Sequence, residues 1–488
     1  MNMRILLLLL LVSVLSFAQE DEKQKYYPET DPLVLKKLEE WQDMKFGLLM
    51  HWGAYSQWGI VESWSICPED YGWCERKKGK SPDSYFDYVK DYENLKTTFN
   101  PTGFEPENWA KAAKDAGMKY VVFTTKHHDG FCMFDSKETD YKITDKGCPF
   151  SADKRSDVTK EIFNAFRKEG LWTGAYFSKP DWHSDYYWYP YFPPKDRNVN
   201  YDPIVYPELW QKFVDFTHNQ IMELMTGYGN IDILWLDGGW VAKADSVEIT
   251  KYWHEKQFSS GFIKSSWVNQ DIKMDEMVKK AREKQSGLIV VDRAVEGKNQ
   301  NYLTPENRVP EKALPYPWES CIIAGGGWAW VPDPQFKSSH ELIQMLVDIV
   351  CKGGNLLLNI APSPEGKWHP DAYARLSDIG DWMKINSEAI YETRAIEPYK
   401  ERNICYTNKK NTKTVYLLYL AGEEEVEMPG VIRFRGLTPA KGTEITMLGT
   451  DTKIEWALGA ADNIITIPPD LRKNPPCKHV WVFKMTIR

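Results

Sequence analysis

Histidine, carboxylate, arginine and tyrosine side chains follow directly on short apolar runs at several places in the 488-residue sequence. The side chains in such positions are His51, His127, His128, Tyr176, Asp237 and Arg293. A carboxylate among aromatic walls and histidine donors suits cleavage of glycosidic bonds, in which one carboxylate attacks the anomeric carbon and a second carboxyl group protonates the leaving oxygen. Asp237 is the expected nucleophile, because Trp235 and Trp240 flank it at the end of an apolar run.

Other chemistry fits these residues less well. The adjacent His127 and His128 lack the His-x-His or His-Glu-x-x-His spacing of a metal site, and neighbouring residues on a strand point to opposite faces. No Gly-x-Ser-x-Gly sequence of a serine hydrolase is present. Capping of the following helix remains an alternative role for Asp237. Of the eight cysteines, Cys67 and Cys74 are close enough in sequence to pair and the other six are scattered. No Cys-x-x-Cys occurs, so a structural metal is not indicated, and no cofactor is expected.

These side chains need a scaffold that brings distant strand ends together. The apolar runs 46–50, 120–125, 172–177, 231–236, 288–291 and 355–360 predict strands, and amphipathic segments such as 106–116 and 338–352 predict helices between them. The alternation predicts a (β/α)8 TIM-like barrel with long insertions, and no Gly-x-Gly-x-x-Gly follows the first strand to indicate a dinucleotide site. The strand ends of such a barrel share one rim, so the polar residues should meet in one cleft.

Three segments are predicted along the chain. Residues 1–18 have the positive start, apolar run and small residues of a signal peptide, so a periplasmic or secreted location is expected. Residues 19–394 form the catalytic barrel, in which 241–287 is expected to be a helical insertion over the rim. Residues 395–488 contain short strand-like runs separated by turn residues, which predict a C-terminal antiparallel β-sandwich.

Composition limits the partners of the chain. A formal net charge of −8 argues against a nucleic-acid partner, which would require a basic surface. Beyond residues 1–18 no apolar run is long enough for a membrane span. Aromatic residues make up 14% of the chain, which fits stacking on sugar rings, although most aromatic side chains serve as core.

The ordered motifs resemble those of α-L-fucosidases of glycoside hydrolase family 29. They are His51-Trp52-Gly53, His127-His128-Asp129-Gly130-Phe131, Trp235-Leu236-Asp237-Gly238, Asp292-Arg293, Trp318-Glu319 and Gly354-Asn355-Leu356-Leu357-Leu358-Asn359. The resemblance covers about residues 30–390, and the family also has a counterpart of the β-sandwich. It implies an exo-acting retaining enzyme that removes terminal α-L-fucose from glycans or fucose-containing polysaccharides through a covalent fucosyl-enzyme intermediate on Asp237.

The resemblance also implies roles for the surrounding residues. His51, His127 and His128 would bind the fucose hydroxyls, Tyr176 and Trp235 would line the site, Arg293 would lie beside the nucleophile, and Trp328 would face the C5 methyl group. Glu62 and Trp64 match sugar-binding residues, although Ser63 separates a Glu and a Trp that are often adjacent in the family. The implied partner is a fucosylated glycan or fucan oligosaccharide.

The general acid is open between several glutamates. Glu306, in the loop after Asp292-Arg293, is the first choice, Glu319 is the alternative, and Glu296 is a third candidate. A retaining enzyme requires its two carboxyl groups about 5–5.5 Å apart. A partly apolar pocket is expected around the acid to keep it protonated. The other functions to weigh are an endo-acting fucan hydrolase, a galactoside hydrolase and a non-catalytic carbohydrate-binding barrel.

Overall fold

Seven parallel strands form the sheet that positions the site. The computed structural model describes residues 25–69, 71–243, 269–459 and 462–488; the predicted signal peptide and residues 244–268 of the predicted rim insertion lie outside them. The strands are β1 (Phe46–Met50), β2 (Tyr120–Lys126), β3 (Trp172–Ser178), β4 (Ile233–Asp237), β5 (Ile289–Asp292), β6 (Glu319–Ile323) and β7 (Asn355–Asn359). Their order is β5-β4-β3-β2-β1-β7-β6. Buried on both faces, such strands appear in sequence as uninterrupted apolar runs, which is why most were predictable.

An irregular segment, residues 299–307, spans the gap between β5 and β6. On one side the backbone N–H of Asn301 donates to the carbonyl of Val290 at 2.9 Å. On the other side the backbone N–H of Leu303 donates to the Pro317 carbonyl at 3.0 Å, and the Leu303 carbonyl accepts from the backbone N–H of Glu319 at 2.9 Å. This segment curls the sheet towards a barrel without being a regular strand, so the predicted TIM-like architecture is confirmed with seven regular strands among the described residues.

Helices precede, separate and follow these strands along the chain. They are α1 (Pro32–Met44), α2 (Tyr85–Glu93), α3 (Pro106–Asp115), α4 (Val158–Lys168), α5 (Pro207–Gly227), α6 (Met274–Lys284), α7 (Ser339–Cys351) and α8 (Pro370–Asn386). The start of α7 is the predicted capping box, in which the Ser338 hydroxyl accepts from the Glu341 N–H and the Glu341 carboxylate accepts from the Ser338 N–H. Among the described residues no helix has both the length and the apolar character that a bilayer crossing requires.

The interior of the barrel is filled by alternate residues of its strands. This cluster includes Leu49, Tyr120, Val122, Tyr176, Ile233, Trp235, Ile289, Val291 and Leu357. Inward-pointing side chains of successive strands stack in layers in such barrels. Tyr120 is the first residue of β2, whereas Tyr176 is near the end of β3, so the two tyrosines lie in the lower and upper layers of the interior.

The C-terminal region consists of antiparallel sheets. The strands are β8 (Thr393–Glu401), β9 (Ile404–Lys409), β10 (Thr414–Leu420), β11 (Val431–Phe434), β12 (Thr446–Met447), β13 (Glu455–Leu458), β14 (Asn463–Thr466) and β15 (Val480–Thr486). One sheet has the order β12-β15-β10-β9-β8 and the other β11-β14-β13. A one-turn helix, α9 (Pro469–Lys473), was not predicted because it is too short to show a periodic pattern. The indole nitrogen of Trp382 in α8 donates to the Val480 carbonyl at 2.9 Å and joins this region to the barrel.

Candidate active site

A cavity of about 200 Å³ opens where the parallel strands end. Its lining residues are Leu49, His51, Glu62, Trp64, His127, His128, Tyr176, Arg197, Trp235, Asp237, Trp240, Arg293, Glu306, Cys321 and Trp328. Every site residue named from the sequence is in this set except the two other acid candidates, Glu319 and Glu296. The convergence follows from the parallel topology, because residues far apart in sequence end neighbouring strands on the same rim.

Asp237 is the last residue of β4 and is fixed by its backbone. It is in register with Ser178 of β3, and its carbonyl accepts from the Lys179 N–H at 2.9 Å. The chain then turns away through Gly238, whose φ is +90°, and a Cβ at that position would come within 2.3 Å of Pro180 Cδ. Glycine is therefore required immediately after the carboxylate, where it leaves the side chain of Asp237 facing the cavity.

The carboxylate of Asp237 is surrounded by donors. The Tyr176 hydroxyl donates to Oδ2 at 2.7 Å, and the Arg293 guanidinium donates to Oδ1 at 3.2 Å. His128 Nε2 lies 3.8 Å from Oδ2. Burial by itself raises the pKa of Asp237, but Arg293, followed by His128 and the Tyr176 hydroxyl, holds that pKa well below its ordinary value. Asp237 is therefore an anion at neutral pH, as a carboxylate nucleophile must be.

Arg293 connects Asp237 with Glu306. One terminal nitrogen of its guanidinium contacts Asp237 and the other contacts the carboxylate of Glu306. Glu306 is on the irregular segment 299–307, and 46% of its side chain is exposed. Its surroundings are therefore a cation and solvent, and the partly apolar pocket expected around the acid is not found there. The shared guanidinium therefore places the two carboxyl groups beside one another at the cavity wall.

Glu319 has the apolar surroundings but lies behind the cavity wall. It is the first residue of β6 and is fully buried in the lower layer of the barrel. The Tyr120 hydroxyl donates to one of its oxygens at 2.5 Å, and the Trp235 indole nitrogen donates to the other at 3.3 Å. Burial raises the pKa of Glu319 to about 7. Because Trp235 lines the cavity on its other side, Glu319 does not reach the space that a substrate would occupy.

The cavity histidines are uncharged. Burial lowers the pKa of both His51 and His128 to about 4 and holds that of His127 well below its ordinary value. His51 Nδ1 is 2.9 Å from the side-chain oxygen of Asn359, and His127 Nδ1 is 2.5 Å from the Ser63 hydroxyl. With one ring nitrogen fixed, the other can face a ligand, and neutral imidazoles suit hydroxyl groups.

Aromatic rings form the remaining walls. The ring of Trp328 is 5.4 Å from that of His51, and Asn359 donates to the Trp328 carbonyl at 2.8 Å. Trp64 meets His128 edge to face, with ring centroids 5.2 Å apart. Apolar rings beside neutral donors match a ligand that has both a hydrophobic face and several hydroxyl groups.

Glu62 links two loops beneath these rings. It is buried, and its carboxyl group accepts from the Ala329 N–H at 2.9 Å, next to Trp328. Burial raises the pKa of Glu62 to about 8. Its side chain is therefore predominantly protonated at neutral pH and supports the Trp328 loop as well as lining the cavity.

The protonation of Glu62 predicts a pH-dependent stability. The unfolded chain releases this proton above its ordinary pKa of 4.5, whereas the folded chain keeps it until about pH 8. The free energy of unfolding should therefore fall with rising pH through that range, by up to about 1.4 kcal/mol per pH unit. Glu62→Gln has no proton to release, so its stability should lack this pH dependence. The melting temperature of the variant minus that of the wild type should therefore increase between pH 5 and pH 8. The same dependence of melting temperature on pH in variant and wild type would contradict the prediction. Glu283→Gln, at an exposed position, is the matched control and should show the wild-type dependence.

Two residues of the cavity lining were not predicted as site residues. No sequence pattern pointed to Arg197, and Trp240 was noted only because it flanks Asp237. Arg197 lies in the long connection between β3 and α5, far from any strand end, so no strand-end pattern indicated it. Its guanidinium bonds to Glu69, with Nε 2.8 Å from Oε1. It also lies 4.7 Å from the Trp64 ring and 5.1 Å from the Trp240 ring. Tertiary contact alone brings Arg197 to the cavity wall.

Among the described residues, two clusters of three side chains are of the types that bind metal ions and lie close together. His127, His128 and Asp237 have one ligand atom each within 4.8 Å of one another. A second group is Asp348, Cys351 and Cys405. Arg293 already pairs with Asp237, and Lys352 and Lys400 pair with Asp348, so a metal cation would compete with a fixed positive charge at either place.

Comparison with known proteins gives a consistent result along the whole chain. Residues 13–388 match the family model of α-L-fucosidase, and residues 398–486 match that of the α-L-fucosidase C-terminal domain. The plasma α-L-fucosidase of Pongo abelii is 28% identical over 483 residues, which cover 95% of this chain and 93% of that protein. The tissue α-L-fucosidase of Homo sapiens is 28% identical over 506 residues, covering 99% and 96%.

A solved structure agrees with the sequence matches. The α-L-fucosidase isoenzyme 1 from Paenibacillus thiaminolyticus superposes with a TM-score of 0.72 at 28% identity, covering 93% of this chain and 100% of that chain. The curled parallel sheet and the C-terminal antiparallel sheets therefore recur together in that structure.

Proposed function

This chain belongs to the α-L-fucosidase family, glycoside hydrolase family 29, and on that premise we propose that it is an exo-acting, retaining α-L-fucosidase. The observation that supports this most directly is Asp237, an anionic carboxylate at the wall of a small cavity of neutral histidines and aromatic rings. Its substrates are fucosylated glycans or fucan oligosaccharides. The barrel, residues 19–394, is the catalytic domain, and residues 395–488 are a supporting β-sandwich.

The reaction proceeds in two displacements on the anomeric carbon. First, Asp237 attacks this carbon, its bond to the glycosidic oxygen breaks, and Glu306 gives its proton to the leaving oxygen. Then Glu306 removes a proton from water, whose oxygen displaces Asp237 and releases fucose with its original anomeric configuration. Glu306 is preferred to Glu319 and to Glu296 because it lines the cavity and shares Arg293 with the nucleophile.

Arg293 supports this division of roles electrostatically. In the complex that is ready to react, Asp237 is the anion and Glu306 is protonated. After the first displacement Asp237 is an uncharged ester, and the negative charge is on Glu306, which has lost its proton. One guanidinium contacts both groups, so the same cation faces the negative charge when it is on Asp237 and again when it is on Glu306.

The other cavity residues recognise the sugar. His51, His127 and His128 bind the hydroxyl groups of fucose, with ring orientations set by Asn359 and Ser63 in the first two cases. Trp328 packs against the face that includes the C5 methyl group. Glu62, Trp64, Tyr176 and Trp235 complete the pocket. A hydroxyl-rich ring with one apolar patch matches this division between neutral donors and aromatic surface.

The size of the cavity supports removal of one terminal unit. At about 200 Å³ it is smaller than the roughly 300–1,000 Å³ of typical ligand pockets, and it suits a single monosaccharide ring. An endo-acting enzyme requires a longer cleft, and a non-catalytic barrel has no need of two carboxyl groups beside one arginine. We also propose export to the periplasm or beyond, on the pattern of residues 1–18.

The products of hydrolysis test this function. Free fucose should be the first and only small product from a fucosylated oligosaccharide, and proton NMR at early times should detect its α anomer before mutarotation. Initial formation of the β anomer would exclude the two-step mechanism. Release of fucose-containing oligosaccharides from a fucan without free fucose would instead indicate an endo-acting enzyme.

A further inference from the structure

An aromatic pair projects from the loop between Cys67 and Cys74. The rings of Tyr71 and Trp73 stack with centroids 4.7 Å apart and planes within 4° of parallel. Tyr71 is 48% exposed and Trp73 is 49% exposed, whereas both cysteines are buried. Between the two buried cysteines, Tyr71 and Trp73 therefore present a stacked and half-exposed aromatic surface.

Arg197 makes this pair continuous with the active-site cavity. Its guanidinium lies 4.7 Å from the ring of Trp64, a cavity wall, and 5.7 Å from the ring of Tyr71. Arg197 itself lines the cavity, and its contact with Glu69 fixes its direction. Trp64, Arg197, Tyr71 and Trp73 thus form an uninterrupted series from the cavity wall to the exposed loop.

We propose that Tyr71, Trp73 and Arg197 form the subsite for the sugar to which the fucose is attached, an inference that rests on the proposed fucosidase function. The sugar next to a fucosyl unit in the cavity must lie at its mouth, and the C–H face of a pyranose ring stacks on flat aromatic surfaces. Arg197 offers N–H donors to its hydroxyl groups. Because Glu69 neutralises the charge of Arg197, the subsite fits a neutral hexopyranose rather than a sulfated one.

Two substrates that differ only beyond the fucose separate the subsite from the catalytic step. α-L-Fucosyl fluoride has no second sugar, whereas 2′-fucosyllactose has a neutral galactose next to its fucose. Trp73→Ala and Tyr71→Ala should each lower kcat/KM for 2′-fucosyllactose by about tenfold, in the range of a lost aromatic contact. Both variants should keep kcat/KM for the fluoride within about twofold of the wild type. Trp73→Tyr should retain most of the activity on the oligosaccharide.

Controls make the outcome decisive. Tyr191→Ala removes another aromatic ring, 82% exposed, and should change neither value. Equal losses on both substrates, or no loss on either, would overturn the subsite while leaving the fucosidase assignment in place. If the unaltered chain hydrolyses neither substrate, it is the proposed function that fails.

Discussion

Asp237→Asn is expected to lower kcat/KM for α-L-fucosyl fluoride by at least about 10³-fold, equivalent to about 4 kcal/mol of transition-state free energy. The amide has nearly the same shape as the carboxylate but is a poor nucleophile, so no fucosyl ester can form. The fold should be retained, because Tyr176 can still donate to the amide oxygen and Arg293 still pairs with Glu306.

Steady-state kinetics with a thermal melt test this expectation. A folded Asp237→Asn protein with wild-type turnover would eliminate Asp237 as the nucleophile and, with it, the mechanism. Glu296→Gln is the matched control, since it also neutralises a carboxylate that follows β5 but is exposed and outside the cavity. Its activity should stay close to that of the wild type.

Glu306→Ala is expected to reduce kcat/KM for 2′-fucosyllactose by about 10²–10⁴-fold, the usual contribution of a general acid. A sugar leaving group needs a proton, whereas fluoride leaves without one, so the loss in kcat/KM for fucosyl fluoride should be much smaller. Sodium azide should restore turnover of the fluoride and yield α-L-fucosyl azide, because azide needs no base to attack the intermediate in the space left by the side chain.

Glu319→Gln separates the two candidates for the acid. Glu319 is buried and bonded to Tyr120 and Trp235, so its replacement should lower thermal stability, and any activity lost should not return with azide. Azide rescue in Glu319→Gln or in Glu319→Ala but not in Glu306→Ala would reverse the assignment. Mass spectrometry of the products identifies the azide directly.

Much of the catalytic end of the barrel was predictable because parallel strands and their ends leave a local pattern. Asp237 and His51 each lie at or next to the end of a fully apolar run, and the parallel topology brings such ends to one rim. The position of a residue along its strand also distinguishes Glu319 from Glu306 as the candidate acid. Glu319 is the first residue of β6, so it lies in the lower layer of the barrel. This strand was not predicted, because the polar Glu319 and Ser320 leave too short an apolar run.

Other parts of the site depend on contacts that no local pattern encodes. Residues 299–307 occupy the gap beside β5 and β6 without an alternating or continuous apolar sequence, and Pro305 lacks the N–H of a regular ladder. Arg197 reaches the cavity only because Glu69 and the rings of Trp64 and Trp240 orient it. Glu62 was expected only to contact sugar. Its hydrogen bond from the Ala329 N–H could not be predicted, because Ala329 is in a loop 267 positions away in the chain.

The irregular segment gives the two carboxyl groups different freedom to change. Asp237 is on a strand whose neighbours on both sides set its register, so any shift of this residue disturbs the whole sheet. Glu306 is on irregular chain beside β6, where a change of length alters the backbone bonds of one connection rather than the pairing of the seven strands with one another. Evolution or design can therefore reposition proton delivery for new leaving groups while the point of attack on the sugar stays constant.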